Sequence, residues 1–192
     1  METVRNANVE TIEYSPSGGF PTLIEKFAEY YRRLGLPVNK ENLIITTGGS
    51  EALLFSFMSC LDPGDEVIVP EPFYANYNGF AIASGTKVVP ITTRIEDNFD
   101  LPEIDEFEKL ITPRTKAILI VDIFGYPAEL PALIDIARRH GLALVEDACQ
   151  SIDGDYDGKK LGTFGHPAVY GFYANKQLTT AEGGVIFTDD DD

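Results

Sequence analysis

The chain has few basic residues, no tryptophan and only two cysteines. Its 15 lysine and arginine residues stand against 31 aspartate and glutamate residues, which gives a formal net charge of −16 at pH 7. Nucleic acids and anionic membrane surfaces select basic protein faces, so this balance argues against both as partners. Four acidic residues, Asp189 to Asp192, end the sequence, and we expect a solvated tail there in preference to a metal site.

The two cysteines, Cys60 and Cys149, are far apart and lack the spacing of a metal site. We expect reduced thiols in a cytoplasmic protein, with a disulfide between them as the open alternative. The sequence shows no secretory signal peptide, and no apolar run approaches the length of a membrane span. Apolar residues nevertheless make up 44% of the 192 residues, which is enough to bury the core of one domain.

Short β-branched apolar runs alternate with stretches of helical periodicity along the chain. The strand candidates are Asn42–Thr47, Glu66–Pro70, Lys87–Ile91, Ala117–Asp122, Ala143–Asp147, Val169–Tyr173 and Gly184–Thr188. The helix candidates are Pro21–Gly35, Ser50–Leu61, Tyr74–Ser84, Leu101–Ile111 and Ala128–His140. Because nearly all-apolar strands indicate burial on both faces, the pattern predicts a doubly wound α/β domain with a mostly parallel seven-stranded sheet and helices on both faces. The last two strands have no helix between them, so one of them is expected to run antiparallel.

Ligands of such sheets bind beyond the carboxyl ends of the strands, so the residues that follow each strand are the candidate site. After the first strand, two glycines and Ser50 precede a helix whose amides and dipole could seat a phosphate. The alternative is that Ser50 simply caps this helix. After the second strand, Tyr74 could stack on a flat cofactor or pack as an ordinary loop aromatic.

A carboxylate at a buried strand end needs a cation or a hydrogen-bond donor. Asp147, at the end of the fifth strand, would find one in a protonated pyridine nitrogen, or would cap the next turn. Lys176 follows the sixth strand, either as a solvated charge or as an amine that forms a Schiff base. Together these groups match pyridoxal phosphate (PLP), which needs a lysine and an acidic partner for its ring nitrogen. Neither a GxxxxGK[ST] loop nor a GxGxxG turn is present, which argues against a nucleotide-binding fold.

The sequence resembles the large domain of fold-type I PLP-dependent aminotransferases over nearly its whole length. Residues 1–118 resemble the class I, aspartate aminotransferase-like branch, in "YSPSGGFPTLIEKFAEYY", "LIITTGGSEALL" and "LDPGDEVIVPEPFYANYNGFA". Residues 119–192 resemble the DegT/DnrJ/EryC1 sugar-aminotransferase branch, in "IARRHGLALVEDACQS" and "GFYANKQLTTAEGGVIFT". This combination suggests an engineered chimera or a minimal core of the fold, with a natural gene fragment or a short homologue as alternatives.

The resemblance assigns roles to individual residues. Lys176 matches the Schiff-base lysine, and Asp147 matches the carboxylate on the pyridine nitrogen. The other cofactor-binding residues that it implies are Gly49, Ser50 and Glu51 at the phosphate-binding helix start, Tyr74 as the stacking ring, Gln150 near the phenolic oxygen, and Tyr14 for the phosphate of a neighbouring subunit. Thr179 and Thr180 would have at most a supporting role. The family thus implies a homodimeric PLP-dependent aminotransferase that uses a small-molecule amino donor and a keto acid or keto sugar acceptor.

The chain also departs from the family pattern. The class I asparagine is absent from Val121–Pro127, no arginine follows in Gln177–Gly184, and Gly171 stands where many sugar-branch members have serine. His166 replaces a commonly acidic residue and is expected on a surface loop. Residues 1–192 are expected to form a single domain, without the small C-terminal domain of the family. The alternative function is therefore a PLP-fold domain that binds the cofactor weakly or not at all and is not catalytic.

Overall fold

The computed structural model describes residues 5–6, 8, 11, 14–36 and 38–188. The acidic run from Asp189 to Asp192 lies outside these residues, so its solvated character stays a prediction. Within the described residues, no helix has both the length and the apolar character that crossing a membrane requires.

Helices and strands alternate along the described chain, as the sequence pattern predicts. The helices are α1 (Pro21–Arg33), α2 (Gly49–Cys60), α3 (Asn76–Ser84), α4 (Ile104–Leu110) and α5 (Leu130–His140). The strands are β1 (Leu43–Thr46), β2 (Glu66–Glu71), β3 (Lys87–Thr92), β4 (Thr115–Val121), β5 (Ala143–Asp147), β6 (Asp155–Tyr156), β7 (Lys159–Lys160), β8 (Ala168–Gly171) and β9 (Gly184–Phe187). Short 3₁₀ turns lie at Lys40–Asn42, Ile95–Asp97 and Ile123–Gly125.

Seven strands form one sheet in the order β1-β9-β8-β5-β4-β2-β3. Strand β9 runs antiparallel to both of its neighbours, β1 and β8, whereas the other pairs in the sheet are parallel. The predicted mostly parallel seven-stranded sheet is therefore confirmed, as is the antiparallel direction of one of the last two strands.

The periodicity missed the small hairpin of β6 and β7, since strands of two residues are too short to show an alternating pattern. Its signal was the Asp157-Gly158 pair, whose φ angles of 50° and 78° suit a tight hairpin turn. Helix α4 begins later than predicted because Leu101 precedes Pro102, and a proline disfavours helical conformation in the residue before it.

Alternate residues of the central strands face opposite sides of the sheet, as the pleat of a strand requires. In β4, Ala117 and Leu119 pack with residues of α2 and α3, whereas Ile118 and Ile120 pack with residues of α4 and α5. Helix α1 lies on the same face as α4 and α5, where it covers β1, β8 and β9. There Tyr31 lies against Tyr170, with ring centroids 5.7 Å apart. Helices therefore cover both faces, and the predicted doubly wound architecture is confirmed.

The start of α2 lies against β9 with no room for a side chain between them. A Cβ on Gly184 would lie 2.6 Å from the carbonyl oxygen of Gly48 and 2.5 Å from Oγ1 of Thr46. Real Cβ atoms do not approach backbone this closely, so the contact requires glycine at this position of β9.

Gly184→Ala is expected to lower the free energy of unfolding by about 1–3 kcal/mol, the usual cost of overpacking a close contact. Urea unfolding followed by far-ultraviolet circular dichroism measures it. Gly79→Ala is the matched control, because a Cβ at Gly79 in α3 meets no described atom within 4 Å and alanine favours a helix. The control should keep or raise stability, and an unchanged unfolding midpoint for Gly184→Ala would contradict the close contact.

Candidate active site

A cleft of about 670 Å³ opens where the parallel strands have their carboxyl ends. Its walls come from the turn before α2, the loop after β2, the ends of β4 and β5, and the loop after β8. The sequence-predicted residues that line it are Gly49, Ser50, Glu51, Tyr74, Asp147, Gln150 and Lys176. Positions from four separate parts of the chain therefore meet in one cleft.

Tyr14 lies away from this cleft. Its side chain is fully exposed, at 102% of the reference area. The resemblance assigns Tyr14 to the site of a neighbouring subunit, so its role stays a prediction. Thr179 and Thr180 also lie outside the cleft lining, and their hydroxyls donate to the carbonyl oxygens of Phe172 (3.3 Å) and Glu182 (2.5 Å), which stabilises the loop between β8 and β9.

The start of α2 presents backbone amides to the cleft. Gly48 is the N-cap residue in extended conformation, and it receives no side-chain cap. Ser50 sits inside the first turn and is exposed, so the alternative that Ser50 caps the helix is wrong. The N–H groups of Glu51 and Ala52 donate to the Gly48 carbonyl oxygen at 3.1 Å. The N–H groups of Gly49 and Ser50 come too early in the helix to find an acceptor within it, which suits an anion.

Glu51 places a carboxylate beside this helix start. Its Oε2 accepts a hydrogen bond from the backbone N–H of Thr47 at 2.7 Å. This bond closes the turn between β1 and α2, and a negative charge in the first helical turn complements the helix dipole. The side chain of Glu51 thus has a structural role whether or not an anion binds here.

Glycine brings the start of α2 directly onto the sheet. A Cβ on Gly49 would lie 2.8 Å from Sγ of Cys149 and 3.3 Å from Cα of Gly171. The first residue of α2 therefore rests between the turn after β5 and the end of β8, in a cradle that a larger residue would fill. Gly171, which stands where many sugar-branch members have serine, forms part of this cradle.

Asp147 ends β5 and is only 6% exposed. Its Oδ2 accepts a hydrogen bond from the hydroxyl of Tyr77 at 2.6 Å, and its Oδ1 accepts one from the backbone N–H of Cys149 at 3.0 Å. Asp147 therefore does cap the next turn, as one alternative held. Because each carboxylate oxygen can accept two hydrogen bonds, the carboxylate keeps capacity for a further donor in the cleft.

Tyr77 was missed by the sequence reasoning. It is 1% exposed in α3, and burial together with the charge of Asp147 raises the pKa of its hydroxyl well above the usual range, so the hydroxyl remains a donor. Its ring meets that of Tyr74 edge-on, with centroids 5.7 Å apart. The three-residue spacing from Tyr74 was the available signal. Tyr74 itself is half-exposed, and its hydroxyl accepts a hydrogen bond from Nδ2 of Asn76 at 2.6 Å.

Cys149 also lines the cleft, and it is buried. Burial and the nearby Asp147 carboxylate raise the pKa of the Cys149 thiol, whereas the positive charge of Lys176 acts in the opposite direction. Lys176 is thus close enough to influence the thiol electrostatically. Cys149 and Cys60 are not joined by a disulfide bond in this structure, which agrees with the expectation of reduced thiols.

Lys176 lies half-buried in the loop after β8. Its backbone N–H donates to the carbonyl oxygen of Tyr173 at 3.0 Å, which fixes a turn at this position. The next residue, Gln177, donates from Nε2 to the carbonyl oxygen of Gln150. The side chain of Gln150 in turn accepts a hydrogen bond from the N–H of Phe124 at 3.3 Å. The lysine loop is therefore tied to the turn after β5 and, through Gln150, to the segment after β4.

His166 does not lie on the surface, and that prediction was wrong. It is 9% exposed, and its Nε2 lies 2.7 Å from Oε2 of the fully buried Glu146. The reason is tertiary: His166 lies two residues before β8, whose pairing with β5 brings the histidine against Glu146. Nothing in the local sequence marks this long-range contact.

Comparisons with known proteins agree with this geometry. The profile of the DegT/DnrJ/EryC1/StrS aminotransferase family matches residues 4–192. The GDP-perosamine synthase of Caulobacter vibrioides is 36% identical over 187 residues, which are 96% of this chain and 48% of that protein. The aspartate/prephenate aminotransferase of Thermus thermophilus is 40% identical over 142 residues, which are 70% of this chain and 37% of that protein. The crystal structure of S. venezuelae DesV in complex with a ketimine intermediate matches with a TM-score of 0.79 at 31% identity, covering 99% of this chain and 48% of that one.

These matches extend across both halves of the sequence. A single natural relative aligns with 96% of the chain, so the comparisons give the chimera hypothesis no support. The chain spans about half the length of the curated relatives that it matches. The sheet, its helices and the family profile all lead to one conclusion: the chain belongs to the DegT/DnrJ/EryC1/StrS aminotransferase family and has the type I fold of PLP-dependent aminotransferases.

Proposed function

We propose that the chain is the cofactor-binding part of a PLP-dependent aminotransferase, in which Lys176 is the amine that binds PLP. The observation that carries this proposal is the single cleft shared by Lys176, Asp147 and the start of α2 at Gly49. An amine, a carboxylate and an anion-binding helix start are the three groups that PLP requires of a protein.

The cleft fits PLP in size and in chemistry. Its volume of about 670 Å³ lies in the usual range of ligand pockets, roughly 300–1,000 Å³. The cradle at Gly49 admits no side chain, which leaves backbone N–H groups and the Ser50 hydroxyl as the donors for a phosphate. Since the arginine of class I enzymes is absent and Gly171 replaces a serine, this chain would depend on the α2 start more heavily than those relatives.

Each of the other groups has a distinct part in the proposed reaction. When bound, PLP supplies an electron sink for the transfer of an amino group. Asp147, held by Tyr77 and the Cys149 N–H, would keep a proton on the pyridine nitrogen. Lys176 would bind the cofactor and, once released by the amino donor, would move the proton of the amino-bearing carbon as general base and acid. The half-exposed ring of Tyr74 would stack on the cofactor, and Gln150 would lie near its phenolic oxygen.

The substrates that we propose are an amino-acid donor and a keto acceptor. GDP-perosamine synthase aligns over 96% of the chain and the aspartate/prephenate aminotransferase over 70%, which favours a keto sugar over a keto acid as the acceptor. We further infer a cytoplasmic homodimer in which Tyr14 reaches the phosphate of the neighbouring site. The support for this dimer is the fully exposed Tyr14 ring, which has no role in the cleft of its own chain.

Replacing Lys176 tests the proposal directly. Wild-type chain incubated with PLP and reduced with borohydride should carry the cofactor on the peptide that contains Lys176, detected by mass spectrometry. Lys176→Ala should lose this labelling, because Lys176 is the amine that lines the cleft together with Asp147 among the described residues. Lys26→Ala is the matched control, since Lys26 is exposed on α1, and it should be labelled like the wild type. Equal labelling of Lys176→Ala and wild type would refute the assignment.

Turnover is measured separately on the PLP-loaded chain. Addition of glutamate should convert bound PLP to its amine form. The conversion is measured by chromatography of the cofactor released from the chain. Cofactor attachment without this conversion would support the alternative of a PLP-binding domain that is not catalytic.

Tyr77→Phe is expected to lower the free energy of unfolding by about 1–3 kcal/mol, because it leaves a buried oxygen of Asp147 without its donor. Urea unfolding of the chain without PLP measures the loss. Tyr126→Phe is the control, since Tyr126 is 81% exposed, and it should unfold at the wild-type midpoint. A Tyr77→Phe chain as stable as the wild type would show that this hydrogen bond does not hold Asp147.

A further inference from the structure

A second group of titratable side chains lies on the other face of the sheet, directly beneath the cleft. Glu146 precedes Asp147 in β5, so the two carboxylates point to opposite faces. Asp122 follows β4, and His166 precedes β8. Asp122 and Glu146 are 0% exposed, and His166 is 9% exposed. The proposed reaction uses none of these three side chains.

The hydrogen bonds of this group are complete except at one atom. Glu146 accepts from the Gly162 N–H at 2.5 Å through Oε1, and its Oε2 lies 2.7 Å from Nε2 of His166. Oδ1 of Asp122 accepts from the Ala128 N–H at 3.2 Å. Among the described residues, Oδ2 of Asp122 has no donor, although it is buried.

Protonation of Asp122 would remove the cost of its unpartnered oxygen. A buried carboxylate oxygen without a donor is costly, and a second carboxylate beside it adds repulsion. The negative charge of the buried Glu146 is close enough to raise the pKa of Asp122, and a proton on Asp122 would turn its unpartnered Oδ2 into a donor. Burial and the charge of Glu146 raise the pKa of Asp122 to about 8, which favours the protonated form of this carboxyl group.

The surrounding charges favour Asp122 over Glu146 as the holder of the proton. The titratable groups that face the pair from the neighbouring elements are Asp147 on β5, Lys159 on β7, His166 before β8 and Tyr170 on β8. Burial raises the pKa of Glu146, but the Gly162 N–H and the charge of Lys159 oppose that rise. The negative charge of Asp147 adds to the upward shift of the pKa of Asp122.

Asp122 also holds a wall of the cleft. Its N–H donates to the carbonyl oxygen of Asp147 at 3.2 Å, and its carboxyl group accepts from the N–H of Ala128. These bonds fix both ends of residues 122–128, which we call the 122–128 segment. Within it, Ile123 lines the cleft and Phe124 donates to the side chain of Gln150. The position of Gln150 thus depends on how Asp122 is held.

We propose that Asp122 is a positioning residue that works in its protonated form, sharing one proton with Glu146 and thereby holding the 122–128 segment against the cleft. Loss of this proton places two negative charges side by side in the protein interior, which loosens the segment and its contact with Gln150. The wall in question belongs to the proposed PLP site, but the experiments below need no PLP. Their failure is therefore distinguishable from a failure of PLP binding.

The proton makes stability depend on pH in a defined direction. Asp122 holds the proton in the folded chain up to about pH 8, whereas an ordinary aspartate in the unfolded chain loses it near pH 4. Between these values the folded state binds the extra proton, so its stability falls as pH rises and levels off above about pH 8. One such proton changes the unfolding equilibrium constant by up to about tenfold per pH unit.

The first measurement is the infrared absorption of the carboxyl groups in the whole chain. Wild type should show the band of a protonated carboxylic acid at neutral pH, and the band should fade as pH rises through about 8. Asp122→Asn should lack the band, whereas Asp135→Asn, at an exposed aspartate of α5, should keep it. Absence of the band from the wild type, or its persistence in Asp122→Asn, would overturn the proposal. The wild-type titration stands even if the variant fails to fold.

The second measurement is amide hydrogen exchange in the 122–128 segment at about pH 7 and pH 9, corrected for intrinsic exchange rates. Wild type should lose up to about tenfold protection there between the two pH values. Asp122→Asn keeps the shape and offers an N–H donor to Glu146, so its protection should not change with pH. Asp122→Ala should be poorly protected at both pH values. The same change with pH in wild type and Asp122→Asn would mean that Asp122 is only a structural residue.

Discussion

A carboxylate buried at the end of a parallel strand remains there only if donors surround it, and Asp147 is held in this way. The Tyr77 hydroxyl reaches it from α3, and the Cys149 N–H reaches it from the turn that follows β5. The first of these bonds joins residues 70 positions apart and ties α3 to the centre of the sheet. The donors also fix the orientation of the carboxylate toward the cleft that contains Lys176, so the same contacts support both the fold and the proposed chemistry.

Close backbone contacts fix the edge of the cleft at the start of α2. The start of α2 lies against β8 and β9 because glycines occupy the contact points, among them Gly49, Gly171 and Gly184. Strand β9 inserts antiparallel between β1 and β8, so the loop that carries Lys176 leaves and re-enters the sheet beside the α2 start. The proposed phosphate seat and the lysine are therefore neighbours as a result of strand order.

The acid pair beneath the sheet extends this arrangement to the opposite face. Asp147 and Glu146 are consecutive in β5, yet one faces the cleft and the other faces Asp122. One short strand thus connects the proposed cofactor partner to the buried carboxyl groups on the opposite face. The relatives that this chain matches are about twice its length, and the chain aligns with less than half of each.

Much of the fold was determined by sequence alone, since the alternation of apolar strands and amphipathic helices is a local pattern that fixes which faces are buried. Ligands of such sheets bind beyond the carboxyl ends of the strands, and this rule alone predicts that Asp147, Lys176 and the α2 start lie at one edge. Tertiary structure decided what depends on distant partners: the Tyr77 donor, the burial of His166 and the unpartnered oxygen of Asp122. Hydrogen bonds and burial of such residues depend on strand order and register, which local periodicity does not encode.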